Sequence, residues 1–315
     1  MGKNEQVENL QKSIGQVLYG KEKTVELVMI GLLCRGHILL EDVPGTGKTM
    51  LAKSVAKSID GKFSRIQFTP DVLPSDVTGV EFFNPKEQEF QLRPGPVLTN
   101  ILLADEINRA TPKTQSSLLE AMEERQVTIE GQTLQIEPPF IVMATQNPIE
   151  SQGTFPLPEA QMDRFLLQIR TGYPTREEEK QMMAGYQKEE PIEQLSAVFS
   201  LDDILELQEK VKEVSISDVV KDYILDIVEA TRNSEFIDTG VSPRGTLAFM
   251  RAVQAKAFIE KRDYVIPEDV KEMAPFVLAH RLVLSMEGEM RRTKGQQMSE
   301  LLNEVEVPVE TGALD

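Results

Sequence analysis

Short apolar runs punctuate the first half of the chain at His37–Leu40, Phe63–Phe68, Ile101–Ala104, Phe140–Thr145 and Phe165–Ile169. Runs of this length predict short strands of the buried type. Between several of them the apolar positions recur at helical spacing instead, over Thr49–Ser58 after the first strand and Thr114–Glu124 after the third. Strand and helix in alternation imply parallel strands, right-handed crossovers and helices on both faces, an α/β fold. Ligands of such sheets sit at the carboxyl ends of the strands.

Two stretches interrupt the alternation. Asp71–Gly95 is too long for an ordinary connection, and the pieces Val80–Phe83 and Glu89–Leu92 flank an Asn84-Pro85 turn, which predicts a hairpin. A second hairpin is predicted from Val127–Ile129 and Leu134–Ile136 around Glu130-Gly131. Long structured insertions of this kind are often functional. After Tyr173-Pro174 the pattern becomes helical only, over Asp202–Val211, Asp218–Thr231, Pro243–Glu260 and Pro267–Leu278. Ser242-Pro243 and Ile266-Pro267-Glu268-Asp269 read as helix starts, with proline in the first turn. The expected division is an α/β core over residues 1–172 and a smaller all-α domain over 173–315, with the tail from Val305 to Asp315 frayed.

Composition narrows the functional classes. The chain has 315 residues, 40% of them hydrophobic, which suits two domains. No run of about 18 uncharged apolar residues occurs, so no transmembrane helix is expected. The polar start Met1-Gly2-Lys3-Asn4-Glu5-Gln6 resembles neither a secretory leader nor a myristoylation signal, which points to the cytosol. With 34 basic and 51 acidic residues the net charge is −17, which counts against broad binding to duplex nucleic acid. A single cysteine, Cys34, excludes an internal disulfide and any multi-cysteine metal site. Cys34 is expected to be a small buried residue, and His37 and His280 to be structural.

The chemistry is concentrated in a few motifs. Val43-Pro44-Gly45-Thr46-Gly47-Lys48-Thr49 stands between a strand and a helix, the setting of a phosphate-binding loop. Gly45 and Gly47 permit backbone angles that turn several N–H groups toward one point, and the following helix adds its partial positive end. Lys48 would reach the outer phosphates of ATP, the Thr49 hydroxyl would bind Mg2+, and the loop from Pro44 to Met50 forms the expected nucleotide contact. Asp42 replaces the first glycine of the usual pattern. Ile101-Leu102-Leu103-Ala104-Asp105-Glu106 is an apolar strand ending in two acids. Asp105 would stand near the metal, and Glu106 would orient and deprotonate the attacking water. Asn147, in Ala144-Thr145-Gln146-Asn147-Pro148, is the candidate amide to hold that water. Arg164 opens the fifth strand and Arg244 the helix after Pro243; either guanidinium can stabilise charge on a transferring phosphoryl group.

Taken together these residues resemble an AAA+ ATPase, and more closely the MoxR family. The resemblance rests on Leu40–Thr49, Phe90–Pro96, Leu103–Ala110, Ala144–Pro148, Leu157–Phe165 and Val241–Arg244, and spans nearly the whole chain. It implies a P-loop AAA+ core with a parallel five-stranded sheet followed by a helical lid. It also implies that Asn147 is the sensor-1 residue, Arg164 an arginine finger acting on a neighbouring subunit's ATP, and Arg244 the sensor-2 arginine. Tyr19 and Gly20 would line the adenine pocket. The insertion at about 71–95 resembles the helix-2 insert of one clade, and 126–137 the hairpin before sensor 1. Such proteins form rings, usually hexamers, and act as chaperone-like motors that mature partners, typically proteins with a von Willebrand factor A domain.

Three other functions compete. The motor subunit of a metal chelatase shares the inserts, but chelation needs partner subunits. A DNA or transcription motor would call for a basic insertion, whereas Lys86 and Arg93 face Glu81, Glu87 and Glu89. A nucleotide-gated scaffold that scarcely turns over is disfavoured by the presence of Asp105, Glu106 and Arg164.

Overall fold

The computed structural model describes residues 3–15, 17–41, 45–146, 153–187 and 190–308. The chain forms two compact units, Met1–Gln208 and Glu209–Asp315. In the first, helices α1 (Lys3–Gly15) and α2 (Glu22–Leu33) precede strand β1 (His37–Glu41). Helix α3 (Lys48–Ser58) and strand β2 (Phe63–Gln67) follow, then α4 (Pro74–Thr78), β3 (Gly79–Asn84) and β4 (Glu89–Pro94). Next come β5 (Ile101–Asp105), α5 (Pro112–Glu124), β6 (Gln126–Ile129), β7 (Gln132–Gln135) and β8 (Ile141–Gln146). The unit continues through α6 (Glu159–Met162), β9 (Phe165–Ile169), α7 (Arg176–Gly185) and most of α8 (Leu201–Lys212).

Five strands form one parallel sheet in the order β2-β5-β8-β1-β9. The inner strands β1, β5 and β8 are buried at every position but the last, as two covered faces require. Leu39, Leu102, Ala104, Val142 and Ala144 pack on one face with Leu118, Leu119 and Met122 of α5. On the other face α2 approaches closely at Gly31, where a methyl group would lie 2.7 Å from Ile38 Cδ1. Thr111 caps α5 and Pro112 occupies its first turn.

His37, 5% exposed, is structural: its Nδ1 accepts from the Val142 N–H (2.9 Å) and its Nε2 faces the Met122 carbonyl (3.0 Å), which fixes the tautomer. Cys34 is half-buried rather than buried, because it caps α2, its N–H donating to the Ile30 and Leu32 carbonyls.

Both hairpins form. β3 and β4 pair antiparallel along their whole lengths, from Gly79 with Pro94 to Asn84 with Glu89. The short helix α4 precedes them and was not predicted. In the second hairpin the return strand begins at Gln132 rather than Leu134. Glu130 (φ 44°) and Gly131 (φ 83°) make a two-residue turn of positive φ, so Ile129 pairs directly with Gln132.

The second unit holds the end of α8, α9 (Asp218–Asn233), α10 (Pro243–Ile259), α11 (Pro267–Leu278), α12 (Met286–Arg291) and α13 (Lys294–Glu304). Helices were expected throughout, but two short strands, β10 (Ile237–Thr239) and β11 (Val283–Leu284), pair antiparallel within it. Segments of three and two residues are too short to register as alternation. Arg262 grips Asp269 with both guanidinium nitrogens (2.5 and 2.7 Å), and Asp269 also accepts from the Ile266 N–H at the start of α11. That bond to Asp269, more than any other effect, holds the Arg262 guanidinium above its ordinary pKa. No helix among the described residues is long and apolar enough to cross a membrane. Part of the tail expected to fray, from residue 309 on, lies outside the described residues.

Candidate active site

Three strands, β2, β5 and β8, and the turn into α3 deliver residues to one cavity of about 460 Å3 at the carboxyl edge of the sheet. The register explains why. Gln67 of β2 pairs with Asp105 of β5, and Leu40 at the end of β1 pairs with Thr145 of β8, so the polar ends of these strands stand side by side. Gly45, Gly47, Lys48, Thr49 and Met50 line one wall, and Asp105, Glu106, Thr145 and Gln146 another. Arg65 and Gln67 close it from the edge strand.

The loop behaves as its glycines demand. Gly45 (φ 85°) and Gly47 (φ 88°) are both left-handed, and Gly47 is the residue from which α3 starts. A methyl on Gly45 would touch nothing within 4 Å, so the requirement there is one of backbone angle alone. Lys48 and Thr49 are the first two residues of the helix, whose amino end carries unsatisfied N–H groups and partial positive charge. Thr46 belongs to the same turn, and Pro44 lies outside the described residues.

Asp105 and Glu106 are tied together by Thr145. The Thr145 hydroxyl donates to Asp105 Oδ1 (2.6 Å) and accepts from the Glu106 N–H (2.8 Å). Glu106 itself adopts a left-handed backbone (φ 58°, ψ 48°), which turns the chain sharply off the end of β5 into the helical turn Ile107–Arg109. Its Oε2 receives Arg109 Nη1 at 3.1 Å. Thr145 is 2% exposed, so its hydroxyl serves these partners rather than solvent. Thr145→Val keeps the branched shape and removes the hydroxyl. It is expected to cost about 1–3 kcal/mol in urea unfolding, the range for leaving buried polar partners unsatisfied, and Thr145→Ser should recover most of it. Equal stability of the valine variant would contradict this bridging role.

Thr49 and Asp105 offer a hydroxyl and a carboxylate to one cavity. Mg2+ prefers oxygen donors and commonly takes only one or two from protein, so this donor set fits it.

None of the remaining candidates is among the described residues that line this cavity. Asn147 lies outside the described residues. Arg164 stands at the amino end of β9: the following Phe165 pairs with His37, whereas Ile169 pairs with Leu40 at the cavity level. Five residue steps from Ile169 back to Arg164, at about 3.3 Å each, put it roughly 16 Å down the strand from that level. Its Nε contacts Glu123 Oε2 at 2.8 Å. Tyr19 lines a second cavity of about 430 Å3, with Ser13, Val17, Gly185, Pro191, Gln194 and Leu195. Gly20 (φ 68°) is pressed against the Glu178 side chain, and the preceding Leu18 backs the phosphate loop, its Cδ2 3.7 Å from where a Gly47 methyl would be. Beside Tyr19, burial first, then the charge of Glu190, raises the Tyr186 phenol above its ordinary pKa. Arg244 belongs to the second unit, exposed in the first turn of α10, where Ser242 caps the helix by accepting from Gly245 N–H at 3.0 Å.

Arg65, Gln67, Thr145 and Gln146 were not singled out from the sequence. Thr145 and Gln146 were quoted in their motif, but the sheet order was needed to set Arg65 and Gln67 beside Asp105.

Residues 37–167 match the ATPase family associated with various cellular activities (AAA), and residues 229–301 the AAA lid domain. The Bacillus subtilis protein YeaC is 51% identical over 302 residues, covering 96% of this chain and 94% of its own. The chaperone MoxR1 of Mycobacterium tuberculosis is 44% identical over 89% of this chain and 77% of its own. A crystal structure of a candidate ATPase from Cytophaga hutchinsonii superposes with a TM-score of 0.91 at 39% identity, covering 97% of this chain and 96% of that one. A phosphate loop, paired acids and a lid in this order, with relatives of that identity along most of the chain, make this protein a member of the MoxR family of AAA ATPases.

Proposed function

We propose that the protein binds and hydrolyses ATP with Mg2+ in a ring, most simply a hexamer, and uses the cycle to remodel or mature partner proteins bearing a von Willebrand factor A domain. AAA membership implies ATP hydrolysis, and the likeness to a MoxR chaperone supports the remodelling role. In this reading residues 1–172 are the nucleotide-binding core and 173–315 the lid. Gly45, Thr46, Gly47 and Met50, with Pro44, cradle the nucleotide, and Lys48 meets its outer phosphates. Thr49 and Asp105 hold the metal, which when bound neutralises phosphate charge. Glu106 orients water and takes its proton, Asn147 steadies that water, and Tyr19 and Gly20 flank the base. Arg164 completes a neighbour's site, and Arg244 senses the nucleotide from the lid.

One observation carries the ring: the phosphate cavity and Arg164 stand at opposite ends of the paired strands β1 and β9. An arginine rooted roughly 16 Å along the strand from the level of its own cavity serves catalysis most directly in a head-to-tail assembly, where a neighbour's cavity faces it. Sedimentation of Glu106→Gln protein with saturating ATP should give a six-protomer species, and affinity capture of that form should recover a von Willebrand-type protein. A monomer under those conditions contradicts the ring, and recovery of DNA or of chelatase subunits contradicts the assigned process.

A further inference from the structure

Arg65 reaches Asp105 across the strand pair β2–β5. Its Nη2 is 2.7 Å from Asp105 Oδ2 and 2.7 Å from Gln67 Oε1, so one nitrogen is shared between the carboxylate and an amide on its own strand. Residues 65 and 67 point to the same face of β2, and Gln67 pairs in register with Asp105, so Gln67 holds the guanidinium against the carboxylate. Asp105 is thus held at both oxygens, by the Thr145 hydroxyl on Oδ1 and by Arg65 on Oδ2. The two anchors differ in kind. Thr145 is buried and neutral, whereas the Arg65 side chain is 44% exposed, long and cationic, and has room to leave.

We propose that Arg65 is a built-in counter-cation for Asp105, a positioning residue that competes with the divalent cation for this carboxylate and sets how much metal the site needs. The proposal rests on Asp105 being the metal-side carboxylate. A guanidinium on Oδ2 neutralises the charge that would attract a cation, so metal binding must displace it or act against its field. Gln67, though uncharged, shares in this by stabilising the held position of Arg65.

The test measures Mn2+ affinity of the ADP-loaded full chain, from the electron paramagnetic resonance of free Mn2+, with no turnover involved. Arg65→Gln is expected to tighten Mn2+ binding about fivefold, the scale of a partly exposed ion pair, while Arg65→Lys stays close to the parent. Gln67→Leu should tighten it by a smaller factor in the parent and leave it unchanged in the Arg65→Gln background, since the two residues act as a unit. ADP affinity in excess chelator should not fall in Arg65→Gln. Unchanged or weaker Mn2+ binding by Arg65→Gln overturns the proposal. So does a loss of metal-free ADP affinity, which would make Arg65 a phosphate ligand. Asp105→Asn separates the two levels of the reading. If it abolishes Mn2+ binding while Arg65→Gln has no effect, only the role of Arg65 fails; if Asp105→Asn has no effect, the assignment of Asp105 fails and the proposal falls with it.

Discussion

Glu106→Gln is expected to bind ATP as the parent does and to lose steady-state turnover by about 10²–10⁴-fold, the usual contribution of a positioned general base. The substitution is chosen for what it leaves in place. Glutamine keeps the length of the side chain and an acceptor oxygen, and the left-handed backbone at φ 58° is held by the Thr145 bond to the residue 106 N–H, which the exchange does not touch. In the proposed function, nucleotide binding rests on the loop from Gly45 to Thr49 and on the amino end of α3, which line the same cavity as Glu106. What disappears is the capacity to take a proton from water. A coupled assay for turnover and a fluorescent nucleotide titration for binding separate the two effects. Turnover within threefold of the parent would remove Glu106 from the chemistry; lost binding would mean that it supports the loop instead.

Arg164→Ala should cost about 10³–10⁵-fold in turnover, as removal of an arginine finger does, with ATP binding retained. The competing explanation is structural damage through the pair with Glu123. That pair is 30% and 36% exposed, and pairs of this kind contribute about 0–1 kcal/mol, too little to unfold a core of this size. Glu123→Ala controls for it. If the pair only held the fold, both variants would lose activity together; if Glu123 merely parks the guanidinium, its loss leaves turnover close to the parent.

Features set by local pattern are the ones legible in the sequence. Apolar runs marked β1, β5, β8 and β9, because strands covered on both faces have no reason to alternate. The glycines of the loop announced their own positive φ angles, and the acids of Asp105-Glu106 stood out at the end of an apolar strand. Contacts made through sheet order were not legible. β2 and β5 are neighbours although β3 and β4 lie between them in sequence, so nothing near Arg65 marks it as a partner of Asp105, 40 residues on. The β10–β11 pair escaped for a similar reason, joining Ile237 to Leu284 across two helices. Thr145 was visible, but the functional interest of its motif lay on Asn147, and only burial and two hydrogen bonds reveal what the hydroxyl does. Arg164 was read as a finger by resemblance; its separation from the cavity along β9 supplies a physical reason why it would act on another protomer.

That claim is tested most directly by mixing two inactive proteins. Lys48→Ala protomers keep Arg164 but lack the lysine proposed to meet the phosphates, and Arg164→Ala protomers keep Lys48 but lack the proposed finger. In a randomly mixed head-to-tail ring, roughly a quarter of interfaces pair an intact Lys48 with a neighbour's intact Arg164. An equimolar mixture, with co-assembly verified by native mass measurement, is therefore expected to recover up to that share of parental turnover. Verified mixed rings with no turnover above either variant alone would contradict a site completed by its neighbour.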